Sequence, residues 1–154
     1  MTRELLERIV VPVANEADAE VTCSTLIPYM RDRESEIVVL HVIEKAGGYI
    51  DKAPLEARQE QAVRTFDLVR REFVTSDLDL ETELRYGTDV TETILDAAED
   101  LGASAVVLTP RAGDGPRERL SAYLSGDVGY NLLKNDRLPV VVLPASPGTN
   151  EGSS

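Results

Sequence analysis

The 154-residue chain has one cysteine, one histidine, no tryptophan and two phenylalanines, which leaves little material for redox or metal chemistry. A lone cysteine, Cys23, excludes an internal disulfide and any multi-cysteine metal site. Set among apolar residues of a predicted helix, it reads as a buried structural thiol. His41 follows "IVVL" in a predicted strand and reads as structural too, because a transition-metal cluster needs a second strong ligand. Neither a Ser-His-Asp nor a Cys-His set is available, and the many carboxylates are scattered over helix faces. No apolar run approaches the ~20 residues of a membrane span, and the start, "MTRELLERIVVPV", lacks the apolar stretch of a signal peptide. A soluble cytoplasmic protein with no membrane partner is expected.

Basic residues are also scarce. Twenty-eight acids against sixteen bases give a formal charge of −12, and only Lys45, Lys52 and Lys134 are lysines. An acidic surface repels nucleic-acid backbones, so a nucleic-acid partner is not expected. Many carboxylates with few lysines point instead to a high-salt cytoplasm, where screening shortens the reach of self-repulsion to a few Å.

What is present is an alternation of strands and helices. "RIVVPV" (8–13), "EIVVLHVI" (36–43), "LDLETELRY" (78–86), "SAVVLTP" (104–110) and "PVVVLP" (139–144) read as strands. The second is nearly all apolar, as a strand covered on both faces should be. The third alternates apolar and charged residues, which predicts an edge strand. Helices are predicted over about 17–31 with Val21, Leu26, Ile27 and Met30 inward, and from Pro54 on the stripe Ala62, Phe66, Val69 and Phe73. A third is capped by Thr88 or Asp89 and packs Val90, Ile94, Ala98 and Leu101; a fourth carries Leu120, Leu124, Val128 and Leu132 on one face. This is the pattern of a doubly wound five-stranded parallel α/β sheet with helices on both faces. One domain over residues 1–145 is expected, with a polar, disordered tail at 146–154. Ligands of such sheets lie outside the carboxyl ends of the strands, here the segments after strands one and four.

The segment after strand four, "RAGDGPRERLSAYLSGDVGYN", has glycines and arginines yet matches neither GxxxxGK[ST] nor GxGxxG. "RIVVPVANEADAE", "IVVLHVIE", "RYGTDVTETILDAAEDLGASAVVLTP" and "GDVGYNLLKNDRLPVVVLP" resemble the universal stress protein (UspA) family over about Arg8 to Pro144, and the acidic, lysine-poor composition resembles its haloarchaeal-type members. The resemblance implies a Rossmann-like fold with strand order 3-2-1-4-5. ATP-binding relatives carry Gly, two residues, Gly, nine residues, Gly, then Ser or Thr. With Gly126 as the last glycine, the pattern falls on Gly113, Pro116, Gly126 and Asp127, and so fails at Pro116 and Asp127. Pro116 has no N–H for a phosphate oxygen, and a carboxylate at Asp127 accepts hydrogen bonds only and repels an anion. Asp127 suits a helix cap instead. Binders also carry Asp after "PV", where this chain has Ala14 and then Asn15.

The expectation is therefore a vestigial or modified nucleotide site built from Val13, Ala14, Asn15, Arg111, Gly113, Gly126 and Asp127, with Val42 as the backbone contact to a base. No cofactor is expected, or else ATP or AMP with Mg held by a phosphate loop that Arg111, Arg117 and Arg119 have modified. The resemblance further implies an isologous homodimer through Val140, Val141, Val142 and Leu143. The role so implied is a stress-response binding or adaptor module without catalysis, meeting an unidentified protein partner; the alternative is an ATP/AMP-binding switch in the same fold.

Overall fold

The computed structural model describes residues 4–45, 55–76, 78–109 and 127–144. Five parallel strands, β1 (Arg8–Pro12), β2 (Glu36–Glu44), β3 (Glu81–Gly87), β4 (Ala105–Leu108) and β5 (Val140–Val142), form one sheet in the order β3-β2-β1-β4-β5. The helices are α1 (Glu16–Met30), α2 (Leu55–Thr75), α3 (Val90–Asp100) and α4 (Asp127–Leu133). Odd-numbered residues of β1, β2 and β4, such as Ile9, Val39 and Val107, pack with Cys23, Leu26, Phe66, Val69 and Phe73 of α1 and α2. Even-numbered ones, such as Val10, Leu40 and Val106, pack with Ile94, Ala98 and Leu132 of α3 and α4. The alternation of side chains along a strand thus fills two cores, one on each face. Each fully buried Leu, Ile or Phe contributes about 1.5–3 kcal/mol.

The third strand is at the sheet edge, and none of its residues is fully buried. Its ladder begins at Val38↔Glu81, later than expected, while Leu78 and Leu80 pack against the first core ahead of it. In α1 the inward stripe includes Leu26, Ile27 and Met30, but Val21 lies off it and is only half-buried. Asp89, not Thr88, caps α3 by accepting from Glu92 N–H at 3.1 Å. α3 ends with Gly102 N–H donating to the Glu99 carbonyl and Ala103 N–H to that of Ala98. This closure places Gly102 at φ +71°, where a side chain is strained. Of the fourth helical segment, Leu132 is buried and Val128 packs partly buried against the same core, as expected, whereas Leu120, Leu124 and the 146–154 tail lie outside the described residues.

Arg137 joins the chain before β5 to α3. Its guanidinium reaches Glu92 (3.0 Å), Asp96 (2.7 Å) and Glu99 (2.7 Å), three acids on one helix face that would otherwise repel one another. The pairing raises the Arg137 pKa and lowers that of Glu99. Arg137→Met should lower the thermal midpoint at low salt, and the gap should narrow in molar KCl as the lost pairs are screened. A gap independent of salt would show that the packing of the arginine stem matters and the ion pairs do not.

Candidate functional site

Strand order reverses beside β1, whose neighbours β2 and β4 lead to opposite edges, so the crevice opens at the carboxyl ends of β1 and β4. On the β2 side of this end lies a cleft of about 250 Å³, lined by Ala14, His41, Val42, Ile43, Glu44, Arg58, Gln61 and Val90. It is somewhat smaller than the 300–1,000 Å³ typical for drug-sized ligands and suits one ring system.

The cleft's β1 wall is closed by the protein's own polar groups. Asn15, the cap of α1, accepts Asp18 N–H on its side-chain oxygen at 2.8 Å, and the Asp18 carboxylate accepts Ala14 N–H at 2.9 Å. Asp18 is 1% exposed, so a fixed carboxylate sits at the start of α1, where an anion would otherwise be favoured. Thr22 and Thr109 share a buried hydroxyl hydrogen bond of 2.8 Å that ties α1 to the end of β4.

The β2 wall is different in kind. The β1–β2 ladder stops at Pro12↔Leu40, and Val13 N–H donates to the Leu40 carbonyl at 2.9 Å. In a parallel ladder a residue turns both backbone groups to one neighbour and the next residue turns both to the other. Leu40 faces β1, so His41 faces β3 and Val42 faces β1 again, at a level where β1 has already turned into α1. The Val42 N–H and C=O therefore point into the crevice.

His41 is buried, and its Nδ1 lies 2.9 Å from the Val13 carbonyl. Because a carbonyl only accepts, Nδ1 carries the proton and Nε2 is the bare acceptor in the neutral ring. Phe66 packs edge-on with ring centroids 6.4 Å apart. Burial lowers the His41 pKa, the Val13 carbonyl opposes that, and the nearby Arg58 charge lowers it further. The unfolded chain thus binds a proton near pH 6.5 that the folded chain refuses, and stability falls as pH drops below that value. Wild type should lose more stability than His41→Phe between about pH 7 and about pH 5 in denaturant titrations. Equal losses would show that the ring titrates as freely in the folded chain as in the unfolded one.

Arg58 Nη2 donates to the Glu44 carbonyl, and Gln59 Nε2 to the Tyr86 hydroxyl at 2.9 Å, which fixes α2 over the end of β2 and β3. Cys23 is buried away from the cleft; burial first, then Glu72 and Glu20, push its thiol up to about 12. It should resist thiol reagents until the chain unfolds.

Among the residues expected at the site, Ala14 and Val42 line the cleft. The Val13 side chain is fully buried, and the Asn15 side chain is engaged as a cap. Arg111, Gly113 and Gly126 lie outside the described residues, as do Pro116, Arg117 and Arg119; Asp127 is the first residue of α4. His41, Arg58 and Gln61 were not expected at the cleft, nor Asp18 as the partner of Ala14 behind it. Only the position of His41 directly before Val42 could have signalled one of them. Among the described residues no group of three or more His, Cys, Asp or Glu could hold a metal ion, and no helix is long and apolar enough to cross a membrane. A larger cavity of about 440 Å³ lies at the opposite end of the sheet, where Glu34, Glu36, Asp79 and Glu81 outnumber Arg33 among apolar residues such as Met30 and Leu80. Arg8 bridges Glu36 and Glu81 there, at 3.2 and 3.4 Å, and the acidic lining is unsuited to an anionic ligand.

An open parallel sheet in the order 3-2-1-4-5, with a cleft at the strand ends beside its switch point, defines a Rossmann-like α/β protein. The profile of the universal stress protein family matches residues 6–144, and the chain belongs to that family. Its fold is similar to that of a universal stress protein family member from Burkholderia pseudomallei, with a TM-score of 0.70 at 20% identity over 94% of this chain and 100% of that one. It is likewise similar to the universal stress protein UspA from Lactobacillus plantarum (TM-score 0.65, 20% identity, 94% and 100% covered). A third similar structure is the universal stress protein from Archaeoglobus fulgidus in complex with dAMP (TM-score 0.60, 20% identity, 91% and 99% covered). No curated protein sequence matches the chain.

Proposed function

We propose that this chain is a non-catalytic binding module of the stress response whose cleft keeps the base-binding half of a nucleotide site and has lost the phosphate-binding half. The observation that carries the reading is the contrast between the two walls. Val42 offers an open backbone pair to a planar ring, whereas Ala14 N–H is already held by the buried Asp18 carboxylate. The sequence extends the contrast to the segment after β4, where Pro116 and Asp127 replace a glycine and a hydroxyl. Such a protein acts by contact with a partner protein, and any ligand tunes that contact. A second reading, an ATP- or AMP-binding switch using Mg, draws support from the cleft itself and from the Archaeoglobus relative's complex with dAMP. Release of bound small molecules from the purified, denatured protein separates the two. The first reading expects no adenine nucleotide; a stoichiometric yield of ATP or AMP establishes the second.

The module is proposed to work as a homodimer through β5. This strand is a sheet edge of three valines, with Val142 44% exposed and Val140 and Val141 half-buried, while Leu143 is buried and donates its N–H to the Leu108 carbonyl. An apolar edge is a template for a second copy of the same strand. Light scattering should give about twice 16.8 kDa for the wild type. Val142→Lys should give the monomer mass, since an edge lysine opposes pairing. A wild-type monomer at micromolar concentration and high KCl would count against this assembly. The charge of −12 supports a saline cytoplasm as the working environment, and KCl in the molar range should raise the thermal midpoint.

A further inference from the structure

The larger cavity, about 440 Å³, opens where the sheet parts at the amino ends of β2 and β3. The β2–β3 ladder begins at Val38↔Glu81, so no rung joins Ile37 to the segment ahead of β3. Glu36 N–H donates to the Glu7 carbonyl, and the Leu40 carbonyl accepts Val13 N–H. Even-numbered residues of β2 therefore turn their backbone to β1, and Ile37 turns its own to the β3 side. Its N–H faces the gap and has no hydrogen bond among the described residues. Met30 and Ile37, 1% and 2% exposed, form an apolar floor with the half-buried Leu78 and Leu80. Both walls are tied to helix ends: Arg33 N–H donates to the Met30 carbonyl at 3.1 Å, and Leu78 N–H to that of Phe73 at 3.0 Å. Glu34 on one wall and Asp79 on the other are exposed, with no ion pair among the described residues. Glu36 and Glu81 share the Arg8 guanidinium, at 3.2 and 3.4 Å.

We propose that this groove docks an extended segment of a partner protein in which arginine or lysine alternates with an aliphatic residue. The proposal rests on the reading of the chain as a module that acts through a partner protein. Charge complementarity sets the sign. Four carboxylates against the one guanidinium of Arg33 line the groove, so a cationic segment is drawn in and an acidic one is turned away. Arg8 shows that a guanidinium fits between carboxylates of neighbouring strands at this end of the sheet. The floor and the Ile37 N–H then select a peptide over a bare cation. A carbonyl of the segment accepts from Ile37 N–H, as the first rung of an added strand would. Its aliphatic side chain covers Met30, Leu78 and Leu80, and its cation reaches Glu34 and Asp79. A metal ion or a polyamine brings neither a carbonyl nor a branched apolar side chain. The groove lies at the end of the sheet opposite the cleft, so the segment does not compete with a cleft ligand for space.

The probes are a capped peptide of alternating arginine and leucine, the same peptide with glutamate for arginine, spermidine and Mg²⁺. Each is titrated into the full chain in about 0.1 M KCl, where charges ~10 Å apart still attract, and backbone amide NMR shifts are followed. The arginine peptide should shift the Ile37 amide and those of Leu78 to Glu81, and at saturation should slow Ile37 amide exchange by about tenfold. The glutamate peptide should shift none of them. Glu34→Lys with Asp79→Lys, both at exposed positions, should weaken the arginine peptide by at least about tenfold. Thermal melts show that this variant is folded. No binding of the arginine peptide, or binding that survives the double substitution, overturns the proposal. So do shifts spread equally over the acidic face of α3, which would mark cation attraction without a site. Spermidine or Mg²⁺ moving the same amides as strongly as the peptide overturns the choice of a peptide. Peptide binding by a protein that releases stoichiometric ATP or AMP upholds the groove and overturns the nucleotide-free reading of the module. A nucleotide-free protein that ignores the peptide overturns the groove alone.

Discussion

Asp127→Ser combined with Pro116→Gly is expected to raise the affinity for MgATP by about 5-fold to about 700-fold over wild type, the largest gain any pair of changes should give. The magnitude follows from charge. Two like unit charges ~4 Å apart repel by about 1 kcal/mol in water and about 4 kcal/mol near a protein surface, and each 1.4 kcal/mol is about tenfold in affinity. Removing the carboxylate relieves that repulsion, serine adds a donor, and glycine adds the N–H and close approach that Pro116 denies. Adenosine, which has no phosphate, should bind both proteins alike. That internal control separates a repaired phosphate site from a general change in the fold. An unchanged MgATP affinity in a folded variant would mean that the segment after β4 does not meet phosphates at all.

Gly87→Ala is expected to destabilise the fold by about 3 kcal/mol, near the top of the range for overpacked sites. A Cβ on Gly87 would stand 2.0 Å from the Thr93 hydroxyl oxygen. That hydroxyl cannot swing away cheaply, because it donates to the Asp89 carbonyl at 2.7 Å in the first turn of α3. The backbone is held from the other side, where Lys45 N–H donates to the Gly87 carbonyl at 2.8 Å. Urea titration of the single variant should show the loss as a lower midpoint with unchanged slope. Gly87→Ala with Thr93→Ala should recover most of it. The remaining contact to the residue-93 Cβ, 3.2 Å away, accounts for the shortfall. The site matters for function as well, because the Gly87 turn sets the start of α3 and so places Val90 in the cleft wall. Full stability in the single variant would mean that Asp89 and Thr93 can move without cost.

The fold is legible in the sequence because the signals that define it are local and repeated. An apolar run such as Ile37 to Leu40 cannot be exposed on either face, and the alternation in 78–86 marks an edge; β2 and β3 occupy those places. Val42 was expected at the site through family resemblance; it lines the cleft, just past the end of the β1–β2 ladder. The roles of Asp18 and His41 were not legible. Their positions depend on where β1 ends relative to β2, a difference of one rung that no periodicity records. A lone histidine in an apolar strand looks structural in sequence, and it is buried; only the structure shows its bond to Val13 and its place in the cleft lining. The contribution of Arg58 and Gln61 has the same origin, since a turn of α2 becomes a wall only when it folds over the strand ends.

The most direct measurement is a pair of calorimetric titrations of the nucleotide-stripped protein, in high KCl, with adenosine and with MgATP. A base half without a phosphate half predicts that MgATP binds no more tightly than adenosine and shows no micromolar affinity. Micromolar MgATP binding, well tighter than adenosine, would contradict the account and mean that Arg111, Arg117 and Arg119 have replaced the lost glycine and hydroxyl contacts.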